Sequence, residues 1–320
     1  MSQRKHIVLC TDVLGGAEIF TLERLLQGGP ADIVLHCNSQ LARTIKKDER
    51  YAKIQVVSDA CLDGLASHIT AANIAAGIGN LRPFLEKGGV LLGNLRAAAL
   101  MLHPAVARRN DAFIHDNSHY LNLKTRILIA IIVALSIMTF FPCRHSTLHV
   151  PFRRLLSPRM AIDYFGSFRP LDDTGLPRPT RLRMAVIGRI EPAKNQMLAL
   201  NIANRLASDG INVHLTLVGS RSDAAYYSDI MAATRHPALE LTQQEVPRSE
   251  IPGLIQKQDM IVHTSIAESL PLVLFEANLL GVPFFALPVG GIPEVLPKKY
   301  WLDVDIEESV RKIGGTLYSA

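Results

Sequence analysis

Long blocks of one charge sign are missing from this 320-residue chain, as are a CxxC pair, a GxGxxG stretch and an uninterrupted apolar run long enough for a membrane helix. Aromatic residues are sparse at 6%, with a single Trp. Each absence excludes something. Without zinc-finger spacing, a basic heptad segment or an aromatic-rich RNA-binding pattern, nucleic acid is not an expected partner. Without GxGxxG, a nicotinamide-binding reading of any strand–turn–helix unit is weakened. Composition is otherwise that of a globular protein, 48% hydrophobic and 20% charged, and no repeat of solenoid period is visible. Thirty-four Lys plus Arg against 29 Asp plus Glu leave +5, which favours an anionic ligand or surface.

The four cysteines, at 10, 37, 61 and 143, stand apart, three of them in apolar settings that suit buried free thiols; a reducing cytoplasm fits. The opening "MSQRKHIVLCTDVLGG" has a basic start, but its apolar run breaks at Thr11 and Asp12, so it reads as a first strand rather than a signal peptide. The most apolar stretch, "ILIAIIVALSIMTFF" at 127–141, would reach only roughly 22 Å as a helix, against a hydrocarbon core of about 30 Å. It reads better as the end of a helix over about Leu121–Val133 followed by a buried parallel strand near Ile137–Phe141, stopped by Pro142.

Strand-like and helix-like segments alternate along the chain, the signature of βαβ units and parallel sheets. The first half offers "HIVLCT", a helix through "AEIFTLERLLQ", "DIVLHC", "IQVVS", "GVLLGN", a helix through "LRAAALMLHPAV", and "DAFIHD". The pattern lapses in "GSFRPLDDTGLPRPT" and restarts with "LRMAVIGRI", a helix through "QMLALNIANRLASDG", "NVHLTLVGS", "DMIVHTS", a helix through "LPLVLFEANLLG", and "VPFFALPV". The expectation is an α/β protein with two Rossmann-like domains, residues 1–165 and 181–320, joined by a linker over 166–180. Ligands of such sheets bind beyond the carboxyl ends of the strands, so the residues just after each apolar run form the candidate site.

Several residues meet that rule. Gly15 and Gly16 lie between the first strand and its helix, where glycines and a helix N-terminus admit an anion; a plain tight turn would use them equally well. Arg189 and Lys194, in "VIGRIEPAKNQ", precede a helix and could clamp a diphosphate, or be two solvated cations. Glu268 and Glu276 stand eight positions apart in the otherwise apolar "SIAESLPLVLFEANLLGVP". With Ser269 as N-cap and Pro271 in the first turn, a helix from about Leu270 to Leu280 leaves Glu268 in the loop and Glu276 inside the helix. A carboxylate there can accept hydrogen bonds from vicinal ribose hydroxyls; alternatively Glu268 accepts backbone N–H bonds at the helix start. "GGIPE" then supplies Gly290, Gly291 and Glu294.

The order "GGAE", "GRxxxxK", "ESLPLVLFE" and "GVP" followed by "GGIPE" resembles glycosyltransferase family 4, most densely over residues 184–296. The resemblance implies the GT-B architecture of two facing Rossmann domains and retaining transfer of a sugar from a nucleoside diphosphate donor to a hydroxyl of a glycan or lipid-linked acceptor. It implies that Arg189 and Lys194 bind the donor diphosphate and that Glu276 holds the ribose. Glu268 and the backbone of Ser269 and Leu270 would lie beside the sugar and phosphate, with Gly15 and Gly16 approaching from the other domain. His115 of "FIHDNSHY" matches a position that faces the transferred sugar, with Asp116 and His119 as close competitors. Retention is described in this family as front-face transfer, so Glu268 is not assigned as a glycosidase-type nucleophile.

No cofactor beyond the donor is implied, because Arg189, Lys194 and helix N-termini can meet the charge on a departing diphosphate without a metal. His115, Asp116 and His119 would nonetheless be possible metal ligands. The segment 143–160, "CRHSTLHVPFRRLLSPRM", mixes Arg144, Arg153, Arg154 and Arg159 with Leu and Phe, as a solvated basic face or as a peripheral contact with anionic membrane. The corresponding location is cytoplasmic, at the inner face of the membrane. The sequence ends soon after Glu307, where the family continues into further helices, and this puts closure of a cleft in question. Two other readings stand beside the transferase: a GT-B-like nucleotide-binding protein without transfer activity, and a nicotinamide-dependent Rossmann enzyme.

Overall fold

The computed structural model describes residues 5–11, 18, 19, 21, 22, 33–115, 121–164, 168, 169 and 181–317. The chain divides into two compact units, Met1–Phe165 and Gly166–Ala320. Gly15, Gly16, Asp116, His119 and nearly all of the 166–180 segment lie outside the described residues.

The first unit is built on a parallel sheet of seven strands: β1 (Lys5–Leu9), β2 (Ile33–Cys37), β3 (Gln55–Ser58), β4 (Leu91–Leu92), β5 (Asp111–Phe113), β6 (Thr139–Phe141) and β7 (Met160–Ile162). Their order is β3-β2-β1-β4-β5-β6-β7, every pairing parallel. Strands covered on both faces are largely apolar, and β2, IVLHC, is buried at each position, His36 included. Successive side chains alternate between two cores. Ile7, Leu9 and Leu35 pack with Leu22 and with Leu41 and Ile45 of helix α1 (Ser39–Lys46). Val8, Leu92 and Ala112 pack on the other face with Leu65, Ile74, Leu100 and Ile132.

The apolar run at 127–141 divides as expected, shifted by two residues. Helix α2 spans Leu123–Leu135, because the Asn122 side chain caps it by accepting from the Thr125 N–H. It ends where the Ser136 hydroxyl folds back on the Ile132 carbonyl at 2.8 Å. Strand β6 begins at Thr139 rather than Ile137, which is half exposed. Among the described residues no helix is long and apolar enough to cross a membrane. The stretch 95–106 is not one helix. A single α-turn, Leu95–Ala98, tightens into a 3-10 turn at Ala99–Leu102 and stops at His103, whose extended backbone is what Pro104 demands of its predecessor.

The second unit carries a parallel five-stranded sheet: β8 (Leu182–Ile187), β9 (Val213–Val218), β10 (Leu239–Gln244), β11 (Met260–His263) and β12 (Phe284–Ala286), in the order β10-β9-β8-β11-β12. Helix α3 (Gln196–Ser208) crosses from β8 to β9 and buries Leu198, Ala199, Ile202, Ala203 and Leu206. Helix α4 (Leu272–Leu279) connects β11 to β12. The chain moves outward from β8 to β9 on one side and returns to place β11 on the other. This makes the carboxyl ends of β8 and β11 the topological switch point, where α/β sheets form their ligand crevices.

Candidate active site

At that switch point two loops are joined before any charged side chain is considered. The loop after β8 closes in a 3-10 turn, Pro192–Lys194. The loop after β11 docks on it: Ile266 N–H donates to the Ala193 carbonyl at 3.0 Å, and the Thr264 hydroxyl donates to the Lys194 carbonyl at 3.0 Å. The backbone therefore fixes where Lys194 and Glu268 emerge. Lys194 Nζ lies 2.5 Å from Glu268 Oε1, and the same oxygen meets His263 Nε2 at 3.1 Å. His263 is the last residue of β11, 4% exposed and stacked on Phe284. Burial alone would raise the Glu268 pKa, but His263 and Lys194 together hold it down to about 2.

Arg189 does not join Lys194 on a common partner. Its guanidinium pairs with Glu191 at 3.2 Å and is 67% exposed, whereas its carbonyl accepts from Gln196 Nε2 at 2.8 Å. The side chain is thus in solvent on an anchored stem. At the start of α3, the Met197 N–H donates to the Tyr226 hydroxyl at 3.0 Å, so that helix end is partly occupied by protein.

Glu276, on α4, is engaged by Arg248: Nη1 donates to Oε2 at 3.0 Å, and Nη2 contacts Oε1. Arg248 belongs to the short turn that follows β10. Ser269 is not the cap expected of it. Helix α4 starts at Leu272 with Pro271 before it and no side-chain cap, because Ser269 lies too far upstream for its hydroxyl to reach the first turn. Its carbonyl instead accepts the Gly291 N–H at 2.7 Å. Gly290 has φ +60°, and a Cβ there would lie 1.9 Å from the Glu268 carbonyl oxygen, so only glycine lets the 288–291 loop seat against residues 268–270. Leu270 runs between these contacts, half-buried, in the same loop.

In the first unit, His115 follows β5. Its Nε2 lies 3.1 Å from the Thr21 hydroxyl, its ring stacks on Phe113 with centroids 4.3 Å apart, and burial lowers its pKa to about 3. The imidazole is therefore neutral at any ordinary pH. Thr21 also donates to the Gly93 carbonyl at 3.1 Å, and Asn94 Nδ2 donates to both the Cys10 carbonyl and Glu18 Oε1. Glu18, the acid of "GGAE", is thereby tied to the loop after β4 beside the switch point of this sheet.

Lys194 and Glu268 are in direct contact, and Ser269 and Leu270 line the same loop; Arg189 and Glu276 each have a different partner. Sequence reasoning missed Arg248, His263, Asn94 and Thr21. His263 carried a signal, the polar end of "DMIVHTS", whereas Arg248 in "EVPRSE" follows a strand that the reading passed over. Among the described residues no cluster of three or more His, Cys, Asp or Glu has metal-holding geometry.

Comparison with known proteins agrees with the second unit's layout. Residues 172–313 match the family model described as glycosyl transferases group 1. The phosphatidylinositol N-acetylglucosaminyltransferase GPI3 subunit of Saccharomyces cerevisiae is 26% identical over 136 residues, 41% of this chain and 30% of that protein. A D-inositol 3-phosphate glycosyltransferase of Segniliparus rotundus is 29% identical over 138 residues, 40% of this chain and 30% of that protein. The matched region thus spans under a third of either relative. Among solved structures, Anabaena HepE in complex with UDP-glucose superposes with a TM-score of 0.68 at 15% identity, over 98% of this chain and 94% of that one. Sucrose-phosphate synthase from Thermosynechococcus elongatus gives a TM-score of 0.68 at 13% identity, over 97% and 88%. The likeness to these structures is one of fold, the GT-B architecture of two Rossmann-like α/β domains.

Proposed function

We propose, from a second unit that carries the group 1 glycosyl transferase pattern, that this protein moves a sugar from a nucleoside diphosphate donor to an acceptor hydroxyl with retention of anomeric configuration. One observation carries the reading. Two carboxylates at a sheet's carboxyl edge, Glu268 and Glu276, each sit against a cation, Lys194 and Arg248. Such pairs cost desolvation and are weak devices for stability alone. In this reading Glu276 accepts the ribose hydroxyls, and Lys194, held by Glu268 beside the switch point, turns its ammonium to the donor diphosphate.

Arg189 supplies the second cation. Exposed, and paired among the described residues with nearby Glu191, it can turn onto a phosphate as a bidentate fork. In the reaction the bond from the anomeric carbon to the diphosphate oxygen breaks, and a bond to the acceptor oxygen forms on the same face. The acceptor's proton passes to the departing diphosphate. Negative charge grows on that diphosphate as the bond breaks, and fixed positive groups stabilise it without reorganisation. No cofactor other than the donor is called for. The peptide dipoles at the start of α4 add partial positive charge beside the 268–271 loop. His115, neutral and hydrogen-bonded, is suited to hold a sugar hydroxyl rather than to carry charge. The acceptor is a hydroxyl of a glycan or of a lipid-linked intermediate.

The test is calorimetric titration with UDP, GDP, ADP and NAD, repeated on Glu276→Ala and Arg189→Ala. One nucleoside diphosphate binds, and each substitution weakens it at least about tenfold, roughly 1.4 kcal/mol. Binding of NAD alone, or binding that ignores both substitutions, would assign these carboxylates to structure.

A further inference from the structure

The first unit presents outward-facing apolar side chains that none of the described elements covers. Helix α2 buries Ile129, Ala130, Ile132 and Val133, yet Leu123, Ile127 and Ile131, spaced four apart on the opposite stripe, are 68%, 45% and 42% exposed. The short helix Arg153–Leu156 packs beside α2. There Phe152 and Leu155 are exposed by 77% and 79%, and Leu148 precedes them at 48%. Phe152 also holds a left-handed backbone, φ +57°, that a bulky residue adopts only under local constraint. A stripe of this kind on a helix is ordinarily the face turned to a core.

Charge identifies what this face would meet. From residue 117 to residue 162 the chain has no Asp or Glu, while Lys124, Arg126, Arg144, Arg153, Arg154 and Arg159 all fall within it. Lys124, Arg144, Arg153 and Arg154 are exposed among the apolar side chains. Arg126 and Arg159 instead tie down backbone, donating to the Leu121 and Ser136 carbonyls. A second copy of the chain would bring cations against cations through this face. An anionic lipid surface satisfies both features, taking the apolar side chains below the headgroups and the cations among them.

We infer that the face formed by helix α2 and residues 148–155 docks peripherally on a bilayer containing anionic lipid. It lies in the plane of the interface, since α2 at 13 residues is too short to span. The inference is independent of the donor site, and its test leaves that site untouched.

The experiment is co-sedimentation of the full chain with vesicles of phosphatidylcholine alone and with about one-third phosphatidylglycerol, with far-UV circular dichroism of each variant as a control of folding. The protein partitions onto the anionic vesicles and little onto the neutral ones. Phe152→Ser with Leu155→Ser weakens partition about tenfold or more at any salt, since these side chains are already exposed and their loss opens no cavity. Arg153→Glu with Arg154→Glu weakens it comparably at low salt and less as salt is raised, because surface charge is screened within about 10 Å at 0.1 M. No partition onto anionic vesicles, or partition that ignores both double substitutions, overturns the inference. Concentration-dependent self-association abolished by Phe152→Ser with Leu155→Ser would assign the face to a second copy instead.

Discussion

Lys194 Nζ rests 2.5 Å from Glu268 Oε1 across 74 residues of chain, and the same carboxylate oxygen is shared with His263. The contact joins the loops after β8 and β11, so the ion pair belongs to the frame of the candidate site as well as to its charge. Lys194→Ala takes the cation from Glu268, 13% exposed, while its contact with His263 stays. The expected loss is about 2 kcal/mol in urea unfolding, below the 3–5 of a fully buried pair because one partner remains. The double substitution Lys194→Ala with Glu268→Gln recovers part of it. A double substitution as costly as the sum of the two singles would show that the pair is not coupled.

The sign of the Glu268 shift fixes a pH dependence. Its folded pKa, about 2, lies below the ordinary carboxylate value, so the native state binds fewer protons than the unfolded chain between about pH 2 and 4.5. The stabilisation is present above pH 4.5 and is lost as the pH falls towards 2. Unfolding followed from pH 6 to pH 2.5 loses stability steeply in wild type, and Glu268→Gln flattens that slope. Parallel slopes in the two proteins would remove Glu268 from the cause.

His115 and His36 shift in the same direction as Glu268, and their destabilising contribution falls at higher pH. Burial lowers His115 to about 3, and burial with the nearby His6 lowers His36 to about 4. Both are neutral at neutral pH in either state. The unfolded chain takes up their protons first as the pH drops below about 6.5, so each destabilises the fold progressively down to its own folded pKa. In a ring-nitrogen NMR titration the His115 and His36 imidazoles remain neutral at pH 5, and His115→Gln and His36→Gln each remove one of those signals.

Arg248 holds Glu276 from the turn after β10. Arg248→Lys keeps the charge but loses the fork that fixes the carboxylate, and nucleotide affinity falls about tenfold with little change in stability. Arg248→Ala leaves Glu276, half-buried, without that cation and costs stability as well. Equal affinity in wild type and Arg248→Lys would separate Glu276 from the nucleotide.

Fold class was legible because strands buried on both faces carry a local signature: "HIVLC", "DIVLHC" and "LRMAVI" are apolar at most of their positions. Strands β7 and β10 were not, and for a physical reason. Both lie at sheet edges, and LELTQQ is only partly buried, so half its pattern answers to solvent. Missing β10 also hid Arg248, which only the strand's position brings to Glu276. Lys194 and Glu268 could be named from their offsets after strands, but their mutual contact depends on β8 and β11 being neighbours, a pairing that sequence spacing does not state. Ser269 was misread as a cap because composition favours Ser before a helix, whereas Pro271 delays the first turn to Leu272.

Gly290 tests the seating of the site without touching a charge. Its φ of +60° and a Cβ only 1.9 Å from the Glu268 carbonyl oxygen mean that Gly290→Ala must push apart the loops at 268–270 and 288–291, since a backbone atom is in the way. Gly281, just past α4, has φ +71° and nothing within 4 Å, so Gly281→Ala meets the left-handed backbone penalty alone. The difference between the two isolates the close approach. Gly281→Ala costs about 1 kcal/mol, and Gly290→Ala about 3 kcal/mol or more. Gly290→Ala also weakens nucleotide binding, because the displaced 268–270 loop carries Glu268 away from Lys194, whereas Gly281→Ala leaves binding as in wild type. Equal stability losses in the two variants would mean the 288–291 loop gives way freely, and the Glu268 loop would then not depend on it for position.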